Sequence, residues 1–193
     1  MILRTDMKTK LMTLFAVLLC WTGTSAQNTT SNARSGAKKI LVAYFSWGGN
    51  TQHVAEHIAS LTDGTLFRIE PEKPYPAEYT SCTEVAKAEK EADARPAIKF
   101  KVDNWDQYDT VFIGCPVWWW TAPMIIHTFA ESYDFRGKTV VPFCTYAATY
   151  RDETLARIRK LTPAAEHLKG FGAVGGDTSG VENWLRTINV IVY

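Results

Sequence analysis

The sequence predicts an α/β protein with a parallel sheet covered by helices on both faces. Three observations carry that prediction. Short runs of β-forming residues, nearly free of charge, alternate along the chain with segments of helical spacing. The runs read as continuously apolar rather than alternating, as strands buried on both faces do. A polar, glycine-containing turn joins the first run directly to the first helical segment, the strand–turn–helix order of a crossover fold.

The elements follow in order. Ile40 to Phe45 is the first strand, and Val54, Ala55, Ile58 and Ala59 place a helix over 51–61. Residues 65–70 form a second strand, closed by Pro71, Pro74 and Pro76. A charged helix over 79–94 shows Glu84, Lys87 and Glu91 to solvent, and 111–115 is a third strand stopped by Pro116. Thr121 is expected to cap a helix running to about Ser132, with Pro123 in its first turn. Residues 138–144 give a fourth strand, 151–160 a helix, 171–175 a fifth strand and 181–188 a closing helix.

The domain is expected over 39–193. Ahead of it, Arg4, Lys8 and Lys10 precede the apolar run Leu11 to Trp21, and Thr24-Ser25-Ala26 supplies small residues before a cut. Residues 1–26 therefore read as a signal peptide for export, with a run too short to be a permanent membrane span. Leu19 precedes Cys20 where lipoprotein acceptors carry a small residue, which argues against a lipid anchor. The Ser/Thr/Asn-rich stretch 27–38 reads as a disordered leader. Without residues 1–26, Lys+Arg falls from 21 to 18 and Asp+Glu from 20 to 19. That balance excludes a basic nucleic-acid face and a strongly acidic carrier surface. Three widely spaced cysteines, Cys82, Cys115 and Cys144, make no disulfide framework.

Ligands of such sheets sit at the carboxyl ends of the strands, and three strand ends here are unusual. Between strand and helix, Ser46-Trp47-Gly48-Gly49-Asn50-Thr51 combines hydroxyls and glycines ahead of a helix N-terminus, the composition of an anion cradle. After the third strand, Pro116-Val117-Trp118-Trp119-Trp120 sets three indoles in a row, more than a core needs. After the fourth strand, Thr145 to Tyr150 is the third unusual sequence, opening on Thr145-Tyr146. A phosphate cradle beside an aromatic platform implies a nucleotide or a flavin mononucleotide. The first loop has neither the Gly-x-Gly-x-x-Gly spacing of dinucleotide binders nor a Gly-Lys-Thr ending, and holds no lysine.

With those residues in view, Tyr44-Phe-Ser-Trp-Gly-Gly-Asn-Thr51 resembles the FMN-phosphate loop of the flavodoxin family. Glu70-Pro-x-x-Pro-Tyr75-Pro, Gly114-x-Pro116-x-Trp118-Trp119 and 131–145 are similar to a bacterial flavodoxin-like subfamily, so the likeness covers about 39–177. It implies a three-layer sandwich with a five-stranded parallel sheet in the order 2-1-3-4-5. It implies FMN as cofactor, with phosphate contacts from Ser46, Gly48, Gly49, Asn50 and Thr51, and Trp47 within the same loop. Flavin-ring contacts are implied for Pro116, Val117, Trp118 and Trp119, with Trp120 completing the aromatic run and Thr145 and Tyr146 at the third loop. Gly48 stands where a hydroxyl residue is usual, and Ala147-Ala148 where glycines are common.

The function implied is electron transfer to a redox partner protein, or FMN-dependent reduction of a small quinone-like acceptor. No catalytic acid, base or nucleophile is then required. A non-redox binding module with altered flavin loops is the alternative. Two shorter patterns carry less. His53-Val-Ala-Glu56-His57 has the spelling of a zinc motif but no evident third ligand, and Cys144 with Arg151 misses the Cys-x5-Arg spacing of a phosphatase loop by one residue. Cys115 and Cys144 end strands that neighbour each other in such a sheet. They become a disulfide candidate where the Cα atoms approach within ~7 Å.

Overall fold

A computed structural model describes residues 39–192. Residues 1–38, on which the expectations of a signal peptide, a leader and an unlipidated Cys20 fall, lie outside the described residues. The chain runs through β1 (Ile40–Tyr44), α1 (Asn50–Thr62), β2 (Thr65–Arg68), α2 (Tyr79–Glu91) and β3 (Thr110–Pro116). It continues through α3 (Met124–Glu131), β4 (Thr139–Tyr146), α4 (Arg151–Leu161), β5 (Glu166–His167), β6 (Phe171–Val174) and α5 (Val181–Thr187). All strand pairs are parallel, in the order β2-β1-β3-β4, with β5 and β6 both on the outer edge of β4. This is the expected 2-1-3-4-5 sheet with its fifth strand in two pieces.

Pro142 supplies a physical reason for that break. Leu168 N–H donates to the Val140 carbonyl at 3.1 Å, so alternate residues of β4, Pro142 among them, turn their backbone groups toward this edge. Proline has no N–H to offer the ladder there. The chain bends past it at Gly170, where a Cβ would stand 2.8 Å from the Pro142 carbonyl oxygen.

Period-two side-chain alternation sorts the core into two layers. Leu41, Ala43, Val111, Ile113 and Val140 face Ile125, Ile126 and Phe129 of α3 and Ile158 of α4. Val42, Tyr44, Phe112, Val141 and Phe143 face Val54 and Ile58 of α1 and Val181, Trp184 and Leu185 of α5. Burial on both faces is the reason the strands carry apolar runs.

Three local readings differ. The helix after β3 is not capped by Thr121. Thr121 pairs with Trp118 in a tight hairpin, and Pro123 is the residue that precedes α3. The turn of 3-10 helix at Trp105–Gln107 had no signal in the pattern. α2 ends at Glu91 rather than 94, closed by Ala92 N–H donating to the Ala88 carbonyl.

Register brings the loops together. Tyr44 lies beside Gly114, Pro116 beside Thr145, and Tyr146 beside Val174. The carboxyl ends of β1, β3 and β4 therefore finish level at one edge of the sheet, where the three unusual sequences begin.

Candidate functional site

The first loop is built to leave N–H groups unused. Ser46, buried at the end of β1, accepts a hydrogen bond on Oγ from Gly49 N–H at 3.1 Å. Gly49 takes φ +92°, a left-handed backbone that favours glycine, and α1 starts at Asn50 without a side-chain cap. The first-turn N–H groups of α1 are thus without a side-chain partner, as an anion site requires. A Cβ on Gly48 or Gly49 would meet nothing within 4 Å, so the space over this backbone is open. Asn50 is exposed, packed from behind by Gly176. Thr51 is buried, and its Oγ1 lies 2.7 Å from Oγ1 of Thr145. Trp47 leaves the cradle, donating its indole N–H to the Pro76 carbonyl at 2.9 Å.

The three tryptophans divide their labour. Trp118 is structural: its ring meets Phe45 and Tyr75 edge-on at 5.2 and 5.0 Å. Trp119 and Trp120 are the central residues of a two-residue turn, closed by hydrogen bonds between Trp118 and Thr121 in both directions at 2.9 and 3.1 Å. Both take positive φ, 45° and 71°, the pattern of the hairpin turns that favour Asn-Gly. Holding two tryptophans there is strained, and such strain persists only where surroundings impose it. α2 imposes it. Trp119 donates its indole N–H to the Thr83 carbonyl at 2.8 Å, Lys90 donates Nζ to the Trp119 carbonyl at 2.8 Å, and the same amine sits 4.6 Å over the Trp120 ring. Ahead of the turn, Pro116 is half-buried and Val117 donates its N–H to the Thr145 carbonyl at 2.9 Å.

In the third loop, Tyr146 turns away from the platform. A Cβ on Gly172 of β6 would stand 3.0 Å from its ring and 2.4 Å from the Arg151 side chain, so both pack over that glycine. Tyr150, at φ 65°, instead brings its ring within 6.0 Å of Trp120.

Together these loops and α2 wall a cavity of about 510 Å³, within the range of small-molecule sites. Aromatic rings dominate it: Trp47, Tyr79, Trp118, Trp119, Trp120 and Tyr150, with Val117, Ala147 and Ala148 between them. Of the predicted site residues, Trp47, Val117, Trp118, Trp119 and Trp120 line it. Ser46, Gly48, Gly49, Asn50 and Thr51 form the adjoining loop; Pro116 and Thr145 sit at strand ends, and the half-buried Tyr146 packs over Gly172 outside the lining.

The lining has little acid–base capacity. Burial pushes the Cys82 thiol up, with Glu89 and Glu78 adding to it. Behind the cavity, burial raises Cys115 well above the thiol range and Cys144 to about 12. These thiols are register neighbours on β3 and β4, and both are free. None of the three cysteines is a ready nucleophile.

Comparison with known proteins agrees with this geometry. A flavodoxin family model matches residues 39–188. This chain belongs to the flavodoxin family. Among solved structures, a Bacteroides eggerthii protein assigned as a flavoprotein is 36% identical, covering 79% of this flavodoxin and 99% of its own chain, with a TM-score of 0.71. A Lactobacillus acidophilus flavoprotein, solved in complex with FMN, is 26% identical over 77% of this flavodoxin and 99% of its own chain, with a TM-score of 0.66. An archaeal flavodoxin, 14% identical over 79% of this chain and 94% of its own, shares the fold at a TM-score of 0.52. No curated protein matches.

Sequence reasoning missed the α2 wall of the flavodoxin cavity: Tyr79, Cys82, Thr83 and Ala86. Their spacing of three, one and three residues is that of a single helix face, a signal present in the chain. It pointed to an apolar face without saying what that face covers. Tyr150 belongs to the unusual strand end 145–150, but nothing local marks it for a left-handed backbone or for the cavity wall.

Proposed function

We propose that this flavodoxin binds FMN and uses it in electron transfer. The observation that carries the reading is the joint placement of an uncapped, glycine-containing helix N-terminus and an aromatic cavity at one edge of the sheet. A phosphate fits the loop, with the N–H groups of Gly48, Asn50 and Thr51 and the Ser46 hydroxyl around it. The Gly49 N–H is held by Ser46 Oγ and the Thr51 hydroxyl by Thr145. A planar ring fits between Trp119, Trp120 and Tyr150. FMN would supply the redox chemistry when bound, and the protein binds, orients and excludes water. The cavity lining has no residue poised as base or nucleophile, in keeping with that division.

Two exposed rings at the cavity mouth, Trp120 at 55% and Tyr150 at 40%, favour a planar, quinone-like acceptor over a protein docked by charge. The basic, then apolar, then small-residue order of residues 1–26 supports export. Among the described residues no helix is long and apolar enough to cross a membrane. An exported chain would take up FMN outside the cytoplasm.

The test is a visible spectrum of the protein purified without added flavin, followed by titration with FMN, riboflavin and FAD. FMN is expected to bind more tightly than riboflavin. Binding of no flavin would overturn the reading and leave a non-redox module on a flavodoxin fold.

A further inference from the structure

We propose that Arg68 is a specificity-determining residue of the phosphate site, a guanidinium delivered by β2 that selects a phosphorylated flavin over an unphosphorylated one. This rests on the FMN reading above. Residues 46–51 contain no cation, and the Gly48 position lacks a hydroxyl. Tertiary pairing supplies a charge the loop lacks. β2 runs parallel to β1 with Arg68 in register with Tyr44, two residues before Ser46, so its side chain emerges where β1 gives way to the loop.

The guanidinium holds both ends of that loop. Nη2 donates to the Ser46 carbonyl and Nη1 to Oε1 of Gln52, each at 3.4 Å. Gln52 is oriented for this, because its amide donates to Oε1 of Glu56 at 2.8 Å and leaves the carbonyl oxygen toward Arg68. Both arginine contacts are long, and they use two of five N–H donors. Among the described residues no carboxylate lies within ion-pair distance of Arg68. An exposed, loosely held guanidinium beside an uncapped helix N-terminus has both charge and donors to spare for an incoming dianion. Its effect is expected to weaken with salt, since the Debye length is about 10 Å at 0.1 M ionic strength.

Affinities of FMN and riboflavin for wild type, Arg68→Gln and Arg68→Lys, each at low and high ionic strength, test this, with thermal denaturation checking the fold of each variant. Arg68→Gln is expected to weaken FMN roughly tenfold at low salt, flatten its salt dependence and leave riboflavin within about twofold. Arg68→Lys should recover most of the FMN affinity. Unchanged FMN affinity and salt slope in Arg68→Gln would overturn the proposal. So would equal weakening of both flavins, which would make the arginine a loop prop with no part in recognising phosphate. If wild type does not prefer FMN to riboflavin, the phosphate reading itself fails, an outcome distinct from both.

Discussion

The hydroxyls of Thr51 and Thr145, 94 residues apart in sequence, meet at 2.7 Å in the buried floor between the first and third loops. This contact ties the start of α1 to the end of β4. Replacing either threonine by valine keeps shape but strands a buried hydroxyl, a loss of about 1–2 kcal/mol. Thr51→Val/Thr145→Val together should lose less than the sum of the singles. Urea denaturation of the four proteins without flavin reads the coupling, and strict additivity would show that the pair does not act as one.

Gly114 is glycine because of Phe143. A Cβ at this position would stand 2.0 Å from the Phe143 ring, which is fully buried against it. Gly114→Ala is therefore expected to destabilise by about 3 kcal/mol. Adding Phe143→Leu should return part of that, as denaturation midpoints would show.

Trp120 sits at φ 71° with more than half its surface exposed. Trp120→Gly relieves about 1 kcal/mol of left-handed strain and gives up a cation–π contact of similar size with Lys90. The denaturation midpoint should barely move, while FMN affinity falls about tenfold through lost stacking surface. A large drop in stability with unchanged affinity would make this ring structural.

Glu78 caps α2, the wall of the cavity. Its carboxylate accepts from Ser81 N–H at 2.7 Å and Thr80 N–H at 2.8 Å, and these bonds, Ser81 first, hold it at about 2 against a usual 4.5. A carboxyl held down in the fold stabilises above its unfolded value and loses that contribution as pH falls through the folded one. Stability should therefore decline as pH falls from about 4.5 toward about 2. Glu78→Ala should be less stable at neutral pH and lose less over that interval, measured as denaturation midpoint against pH.

The order of strands and helices was legible in the chain because burial on both sheet faces forces charge-free runs, and helical spacing marks the covering layers. So was the glycine turn before the first helix, since the Ser46–Gly49 contact lies within four consecutive residues. Breaks in local pattern were less legible. Thr121 reads as a cap, yet the Trp118–Thr121 hairpin claims it, and that strained turn is held by Thr83 and Lys90 from a helix some thirty residues earlier.

Local chemistry thus names a polar glycine turn, an aromatic run and the layers of the sheet, because each depends on neighbours a few residues away. Long-range packing assigns the places: Trp118 between core and cavity, Trp119 and Trp120 to the cavity wall, Tyr146 over Gly172 and Tyr150 to the mouth. It also carries Arg68 from the second strand to a loop without a cation. Those assignments depend on which side chains strand register and helix docking bring within a few ångströms, and no spacing along one segment encodes them.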